Sequence, residues 1–225
     1  MGIKLAETAG FCMGVKRAVD MVLEIARNKG DKKVYTYGPI IHNPQTIELL
    51  RKRGVVPVDS IDEIQDGIVI IRAHGISPLE KKKIREKGVK IVDATCPRVA
   101  SVQAIIRKHA ALGYTIIIVG DKEHPEVASL LGYSSDGGTV INDKEDVNDL
   151  PLYDKVCVVA QTTQDSVRYK EITKEITQKF PEAIIFNTIC DSTEKRQAEI
   201  KDLASEMDGI IIVGGGTARI HRDLP

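Results

Sequence analysis

Four short apolar runs constrain this 225-residue chain more than any other feature: Ile68-Val-Ile-Ile-Arg72, Thr115-Ile-Ile-Ile-Val119, Val156-Cys-Val-Val-Ala160 and Gly209-Ile-Ile-Ile-Val213. None alternates with polar residues, so none suits a sheet with one wet face. Uninterrupted runs of this length, bounded by turn residues, predict strands buried on both faces of parallel sheets. Parallel strands need crossovers, and amphipathic segments lie between the runs. Val15–Asn28, Pro44–Lys52, Pro78–Lys87, Val99–Leu112, Gln164–Phe180 and Thr193–Met207 read as helices, and the opening Met1-Gly-Ile-Lys-Leu5 reads as a further strand. Strand alternating with helix predicts an α/β architecture.

A weak repeat divides the chain. Lys4-Leu-Ala-Glu-Thr-Ala-Gly-Phe-Cys12, Lys90-Ile-Val-Asp-Ala-Thr-Cys96 and Ile184-Ile-Phe-Asn-Thr-Ile-Cys190 each run from a strand into a cysteine at the start of a helix. These cysteines are 84 and 94 residues apart, about one small α/β unit each time. The expected units are 13–96, 97–189, and 190–225 together with 1–12. Cys12, Cys96 and Cys190 fall at the boundaries of these units, one at each carboxyl sheet edge, where open α/β sheets bind ligands.

Charge excludes some functions. Lys+Arg and Asp+Glu both number 32, which leaves no electrostatic footprint for nucleic acid or an anionic membrane, so an anionic ligand needs a local site. No apolar run is long enough to span a bilayer and no signal peptide is evident, so the expected location is the cytoplasm. There, four cysteines are metal ligands, redox groups or core residues rather than a disulfide framework.

At a helix N-terminus a thiolate gains from the helix dipole and free N–H groups, and thiolate is the form that ligates metal. Three such ligands leave one coordination position open, which suits an iron–sulfur cluster or zinc. Zinc sites usually draw on close Cys pairs, absent here, and no His-Glu-x-x-His helix marks a zinc hydrolase. Reduced, buried cysteines with no metal are the plain alternative. Cys157, inside an apolar run, reads as core.

His42, His74 and His124 each follow a strand-like run and precede Asn-Pro, Gly or Pro, which puts them on the same rim as the cysteines. Imidazoles grouped with backbone N–H donors can bind a diphosphate. His109 reads as part of a solvated helix face, and His221 belongs to the C-terminal segment. Glu126 could deliver a proton from its loop, although taken alone it reads as an exposed acid in a first helical turn. Gln161-Thr-Thr163 places hydroxyls on the rim, or caps the next helix.

Gly10-Phe-Cys-Met-Gly-Val15, Gly38-Pro-Ile-Ile-His-Asn43, Arg72-Ala-His-Gly-Ile-Ser77, Asp93-Ala-Thr-Cys-Pro97, His124-Pro-Glu-Val127 and Gln161-Thr-Thr163, with Cys190 and Arg196-Gln197, occur in this order. Together they resemble the 4-hydroxy-3-methylbut-2-enyl diphosphate reductase family, from the first residues to about Gly215. The resemblance implies three α/β domains in pseudo-threefold arrangement around a [4Fe–4S] cluster held by Cys12, Cys96 and Cys190. It implies that His42, His74 and His124 contact the substrate diphosphate, that Glu126 donates a proton, and that Thr162 helps relay it. The implied reaction uses two electrons and two protons to remove a hydroxyl as water, giving isopentenyl and dimethylallyl diphosphate. A ferredoxin or flavodoxin is the implied electron donor. A non-catalytic phosphate-binding α/β protein is the alternative outside this family.

The resemblance breaks after Gly215. The family continues with Lys-Asn-Ser-Ser-Asn, whereas this chain reads Gly216-Thr-Ala-Arg-Ile-His-Arg-Asp-Leu-Pro225. The expected cause is a frameshift, with a deliberately short protein as the alternative: GGA ACA GCT CGA ATT CAC AGA, one possible coding of Gly-Thr-Ala-Arg-Ile-His-Arg, reads Asn-Ser-Ser-Asn-Ser-Gln from its third base. The expectation is a third domain that lacks part of its sheet, in a copy with weak or no turnover. The gene's nucleotides at codons 214–222 test it.

Overall fold

The computed structural model describes residues 2–135 and 137–213. The segment after Gly215, with His221 and the frameshift expectation, lies outside them. Two parallel sheets of four strands organise the described residues. The first contains β1 (Val34–Tyr37), β2 (Val55–Val58), β3 (Ile68–Ile71) and β4 (Lys90–Asp93), in the order β2-β1-β3-β4. The second contains β5 (Thr115–Val119), β6 (Thr139–Ile141), β7 (Val156–Ala160) and β8 (Ile184–Phe186), in the order β6-β5-β7-β8. The permutation is the same in both sheets, so the repeat read from the cysteines extends to strand order.

The apolar runs occupy the central strands for the expected reason. In β3 every residue is buried; Ile68 and Ile70 face one core cluster, and Val69 and Ile71 face another on the opposite side. β5 and β7 divide their residues between two cores in the same alternating way. Each fully buried aliphatic side chain contributes about 1.5–3 kcal/mol, so a strand apolar on both faces is stable only between two helical layers.

Among the described residues seven helices supply those layers: α1 (Met13–Asn28), α2 (Pro44–Arg51), α3 (Pro78–Glu86), α4 (Pro97–Ala111), α5 (Pro125–Leu131), α6 (Ser166–Lys179) and α7 (Asp191–Glu206). α1 buries Ala18, Val19 and Val22 on the first sheet. α4 buries Val99, Val102 and Ile106 on the second. His109 is buried with them, its Nδ1 2.8 Å from the Ile105 carbonyl and its ring 5.1 Å from that of Phe186. The solvated-face reading of this histidine is therefore corrected; β8 brings Phe186 over a position that looks polar in sequence.

α6 begins at Ser166, capped by Asp165, whose side chain accepts the Arg168 N–H at 2.7 Å. Gln161-Thr-Thr163 is thus not the cap of that helix. Gly209–Val213 and residues 2–6 are also not strands here: Ile211 and Val213 are each 92 % exposed. A strand exists only with a ladder partner, and among the described residues neither segment has one.

Both strand orders reverse after their first strand, which creates a switch point between β1 and β3 and another between β5 and β7. Loops leaving the carboxyl ends of strands at such points diverge and open a crevice. His42 follows β1 and His74 follows β3; His124 follows β5 and Gln161–Thr163 follows β7. The edge strands β4 and β8 lead to Cys96 and Cys190.

Candidate functional site

Cys12, Cys96 and Cys190 are the N-cap residues of α1, α4 and α7, and none spends its side chain on a capping hydrogen bond. Their carbonyls accept the first helical bonds, from Lys16, Ala100 and Glu194 at 2.9, 2.9 and 3.1 Å. The backbone thus completes the helix start, and the Cys190 sulfur lies 3.2 Å from the Ser192 hydroxyl. All three thiols are partly exposed and free of disulfides.

Three arginines tie the three helix starts into a ring. Arg17 of α1 donates to the Thr95 carbonyl at 3.2 Å, beside Cys96. Arg98 of α4 pairs with Asp191 of α7. Arg196 of α7 donates to the Gly10 carbonyl at 2.6 Å, two residues before Cys12. Gly14 closes the approach, because a Cβ there would lie 2.5 Å from the Cys96 sulfur. The thiols are near enough that Cys12 and Cys190 each oppose ionisation of Cys96.

Burial is the largest effect on the Cys96 thiol and raises its pKa; the Arg98 and Val99 N–H groups act the other way, and the two neighbouring thiols add to the rise. In the apo chain, desolvation and crowding outweigh the helix-terminal stabilisation expected from sequence. A bound cation reverses that balance.

The three histidines also converge. Ring centroids are 4.5 Å apart for His42 and His74, 5.2 Å for His42 and His124, and 5.3 Å for His74 and His124. One nitrogen from each lies within 4.8 Å of the others, a spacing compatible with a metal ion. The hydrogen bonding of His124 favours an anion instead. Its Nδ1 accepts the Glu126 N–H at 3.1 Å, so in the neutral ring the proton sits on Nε2, a donor rather than a metal ligand.

Burial, first, and then the neighbouring His42, His124 and Arg72 charges hold the His74 pKa well below the ordinary imidazole value. The folded chain therefore keeps His74 neutral where the unfolded chain takes up a proton. Stability is fully present above about pH 6.5 and falls on acidification, by about 1.4 kcal/mol per pH unit for one such group. Urea midpoints at pH 7.5, 6.5 and 5.5 should show the decline, and His74→Asn should reduce it.

Glu126 is 2 % exposed, not the exposed first-turn acid its sequence context suggests. Its two carboxylate oxygens accept the Thr162 backbone N–H at 2.6 Å and the Thr162 hydroxyl at 2.7 Å. Thr162 is in turn bound to the cysteine ring: its carbonyl accepts the Cys190 N–H at 2.9 Å and the Thr193 hydroxyl at 3.1 Å. On the other side the Cys96 N–H donates to the carbonyl of Ala73, next to His74, at 2.9 Å. Thiols, acid and imidazoles therefore belong to one connected framework.

The family model described as "LytB protein" matches residues 3–220. The chain belongs to the LytB family. The 4-hydroxy-3-methylbut-2-enyl diphosphate reductase of Pelobacter propionicus is 43% identical over 224 residues, covering 100% of this chain and 79% of that protein. The enzyme of the same name from Aquifex aeolicus is 43% identical over 225 residues, covering 99% and 78%. A solved (E)-4-hydroxy-3-methyl-but-2-enyl diphosphate reductase, at 43% identity, superposes with a TM-score of 0.79 over 98% of this chain and 79% of the other. A reductase structure from Plasmodium falciparum, at 29% identity, gives 0.90 over 96% and 72%.

In this LytB-family site Gly14, Arg17 and Arg98 have places to which sequence reasoning assigns no role of their own. Gly14 had one available signal, a small residue two positions after a helix-capping cysteine. Gly14→Ala should leave apo stability within about 1 kcal/mol, since alanine favours helix, yet push the Cys96 thiol aside. Iron affinity after reconstitution should fall about tenfold or more, the ordinary cost of disturbing what orients a metal ligand. Arg17 and Arg98 had no signal, because an arginine on a helix start reads as solvated until its partner is placed. Gln161, fully buried, accepts the Asp121 N–H at 2.9 Å and braces the loop leading to His124.

Proposed function

We propose that this chain carries out the reductive dehydroxylation of 4-hydroxy-3-methylbut-2-enyl diphosphate, giving isopentenyl and dimethylallyl diphosphate. The observation that carries the reading is the continuous path from Cys190 through Thr162 and Glu126 to His124. The names of the relatives support it. Cys12, Cys96 and Cys190, at the boundaries of the units 13–96, 97–189, and 190 onward with 1–12, would hold a central [4Fe–4S] cluster. The donor set fits that group: three uncapped thiols, no fourth cysteine on the rim, and a glycine where a side chain would block the approach. When bound, the cluster supplies electrons and an iron without a protein ligand, a Lewis acid for the leaving oxygen.

The chain's own residues do the remaining work. The Nε2–H of His124 and the rings of His42 and His74 hold the diphosphate, which fixes the direction of the allylic chain. Glu126, protonated, gives its proton to the departing hydroxyl so that water leaves instead of hydroxide. Thr162 orients that carboxyl through both of its hydrogen bonds, and its hydroxyl can turn to accept as the carboxyl changes protonation state. Burial of Glu126 and Thr162 keeps bulk water from competing for the proton.

A ferredoxin or flavodoxin is the proposed electron donor. No helix of the described residues is long and apolar enough to cross a membrane. Free thiols need a reducing compartment, and the cytoplasm is the proposed one. Anaerobic reconstitution with iron and sulfide, then substrate consumption with a reduced viologen dye, tests the function. A brown protein with turnover is the expected result. A brown protein that binds inorganic diphosphate without turnover points to an inactive copy of the reductase. A colourless protein that binds inorganic diphosphate favours the phosphate-binding alternative.

A further inference from the structure

Arg72 directly follows the buried strand β3, two residues before His74, and its guanidinium lies between two histidine-bearing loops. Its Nη1 occupies the space beside Gly38 where a Cβ would approach it to 2.4 Å, and Gly38 has a φ of +70°, which favours glycine. Its Nε donates to the Gly75 carbonyl at 3.4 Å, on the far side of His74. Gly38 opens the loop to His42, and Gly75 closes the turn at His74.

The surroundings do not neutralise this cation. Among the described residues no carboxylate comes within ion-pair distance of it. The guanidinium lies 6.0 Å from the centroid of the Tyr37 ring. The Tyr37 hydroxyl in turn donates to Glu80 at 3.1 Å, while Glu80 also closes the capping box of α3 on Ser77. Glu80, Tyr37 and Asp59 act on Arg72 only from a distance, and burial is the largest effect, lowering its pKa. Its charge reaches the imidazoles, because it helps hold His74 neutral. A partly buried guanidinium without a close counter-ion is costly unless an anion arrives.

We infer that Arg72 is a positioning residue that fastens the His42 loop to the His74 loop and gives the cluster of His42, His74 and His124 the fixed positive charge an anionic ligand needs. The inference rests on the diphosphate reading of the histidines. It explains how a site without lysine, in a chain of zero formal charge, attracts a multiply charged anion.

The test is the affinity of the full chain for inorganic diphosphate, by calorimetry, in wild type, Arg72→Lys and Arg72→Met. Arg72→Met should weaken binding at least tenfold and flatten its salt dependence, and Arg72→Lys should recover affinity to within about threefold of wild type. Nitrogen NMR of His74 supplies a readout that packing alone would not move. Its titration should rise in Arg72→Met, because a neighbouring cation is gone, and stay low in Arg72→Lys. Equal affinity in wild type and Arg72→Met overturns the inference and leaves the diphosphate site intact. Equal weakening in both variants, with an unmoved His74 titration, assigns Arg72 to packing and also overturns it. A wild-type chain that fails to bind diphosphate overturns the site reading, and the inference with it.

Discussion

Cys96→Ser should reduce the visible iron–sulfur absorbance after reconstitution by at least about tenfold, with turnover falling to background. Serine keeps the shape of the helix cap, and its hydroxyl can accept the Arg98 and Val99 N–H groups as a good N-cap does. The fold therefore gains, if anything, while the soft anionic ligand is lost. The proper comparison is Cys157→Ala. Cys157 is fully buried in β7, and burial pushes its thiol pKa up to about 11. It packs with the core that contains Val99 and Ile118. Its truncation should cost about 1 kcal/mol of stability and leave iron content at the wild-type level. Iron and acid-labile sulfide determinations on both variants separate a ligand from a core residue. Full iron in Cys96→Ser, or lost iron in a stably folded Cys157→Ala, would sink the ligand assignment.

Glu126→Gln should lower turnover by about 10²–10⁴-fold, the usual range for removing a positioned acid. Glutamine occupies the same space and can keep both contacts with Thr162. Its carbonyl oxygen accepts the Thr162 N–H, and the threonine hydroxyl rotates to accept from the new amide. Stability should then change by no more than about 1–2 kcal/mol, and diphosphate affinity should hold. Glu126→Ala is a poorer test, because it leaves the buried Thr162 N–H without an acceptor and confuses catalysis with folding. Steady-state rates with a reduced viologen, beside diphosphate binding, distinguish a proton donor from a bracing residue. A Glu126→Gln variant retaining a tenth or more of wild-type turnover is incompatible with the proposed role.

The central strands were legible because a strand apolar on both faces has no alternative but a doubly covered parallel sheet. Ile68–Ile71, Thr115–Val119 and Val156–Ala160 needed no partner to be recognised. The same pattern misled at Gly209–Val213, where composition allows a strand but the described residues offer no ladder to join. The cysteines were legible through the repeat, since each follows a strand and opens a helix, and a short local motif fixes its own N-cap geometry. The strand permutation shared by the two sheets was not visible, because crossover direction leaves no mark on the individual runs.

The sequence by itself determined which residues could do chemistry. Three cysteines at helix starts and three histidines at strand ends are local facts, set by turn residues and hydrophobic runs within a few positions of each. Only the tertiary structure decided which of them meet. Bringing Arg17 to Thr95, Arg98 to Asp191 and Arg196 to Gly10 requires contacts up to 186 residues apart, and no local pattern encodes such distances. It also reversed two local expectations. Glu126 reads as an exposed first-turn acid until Thr162 arrives from another strand to cover it, and His109 reads as solvated until Phe186 does the same. In both cases burial is a property of the neighbour, and the neighbour is placed by the sheet.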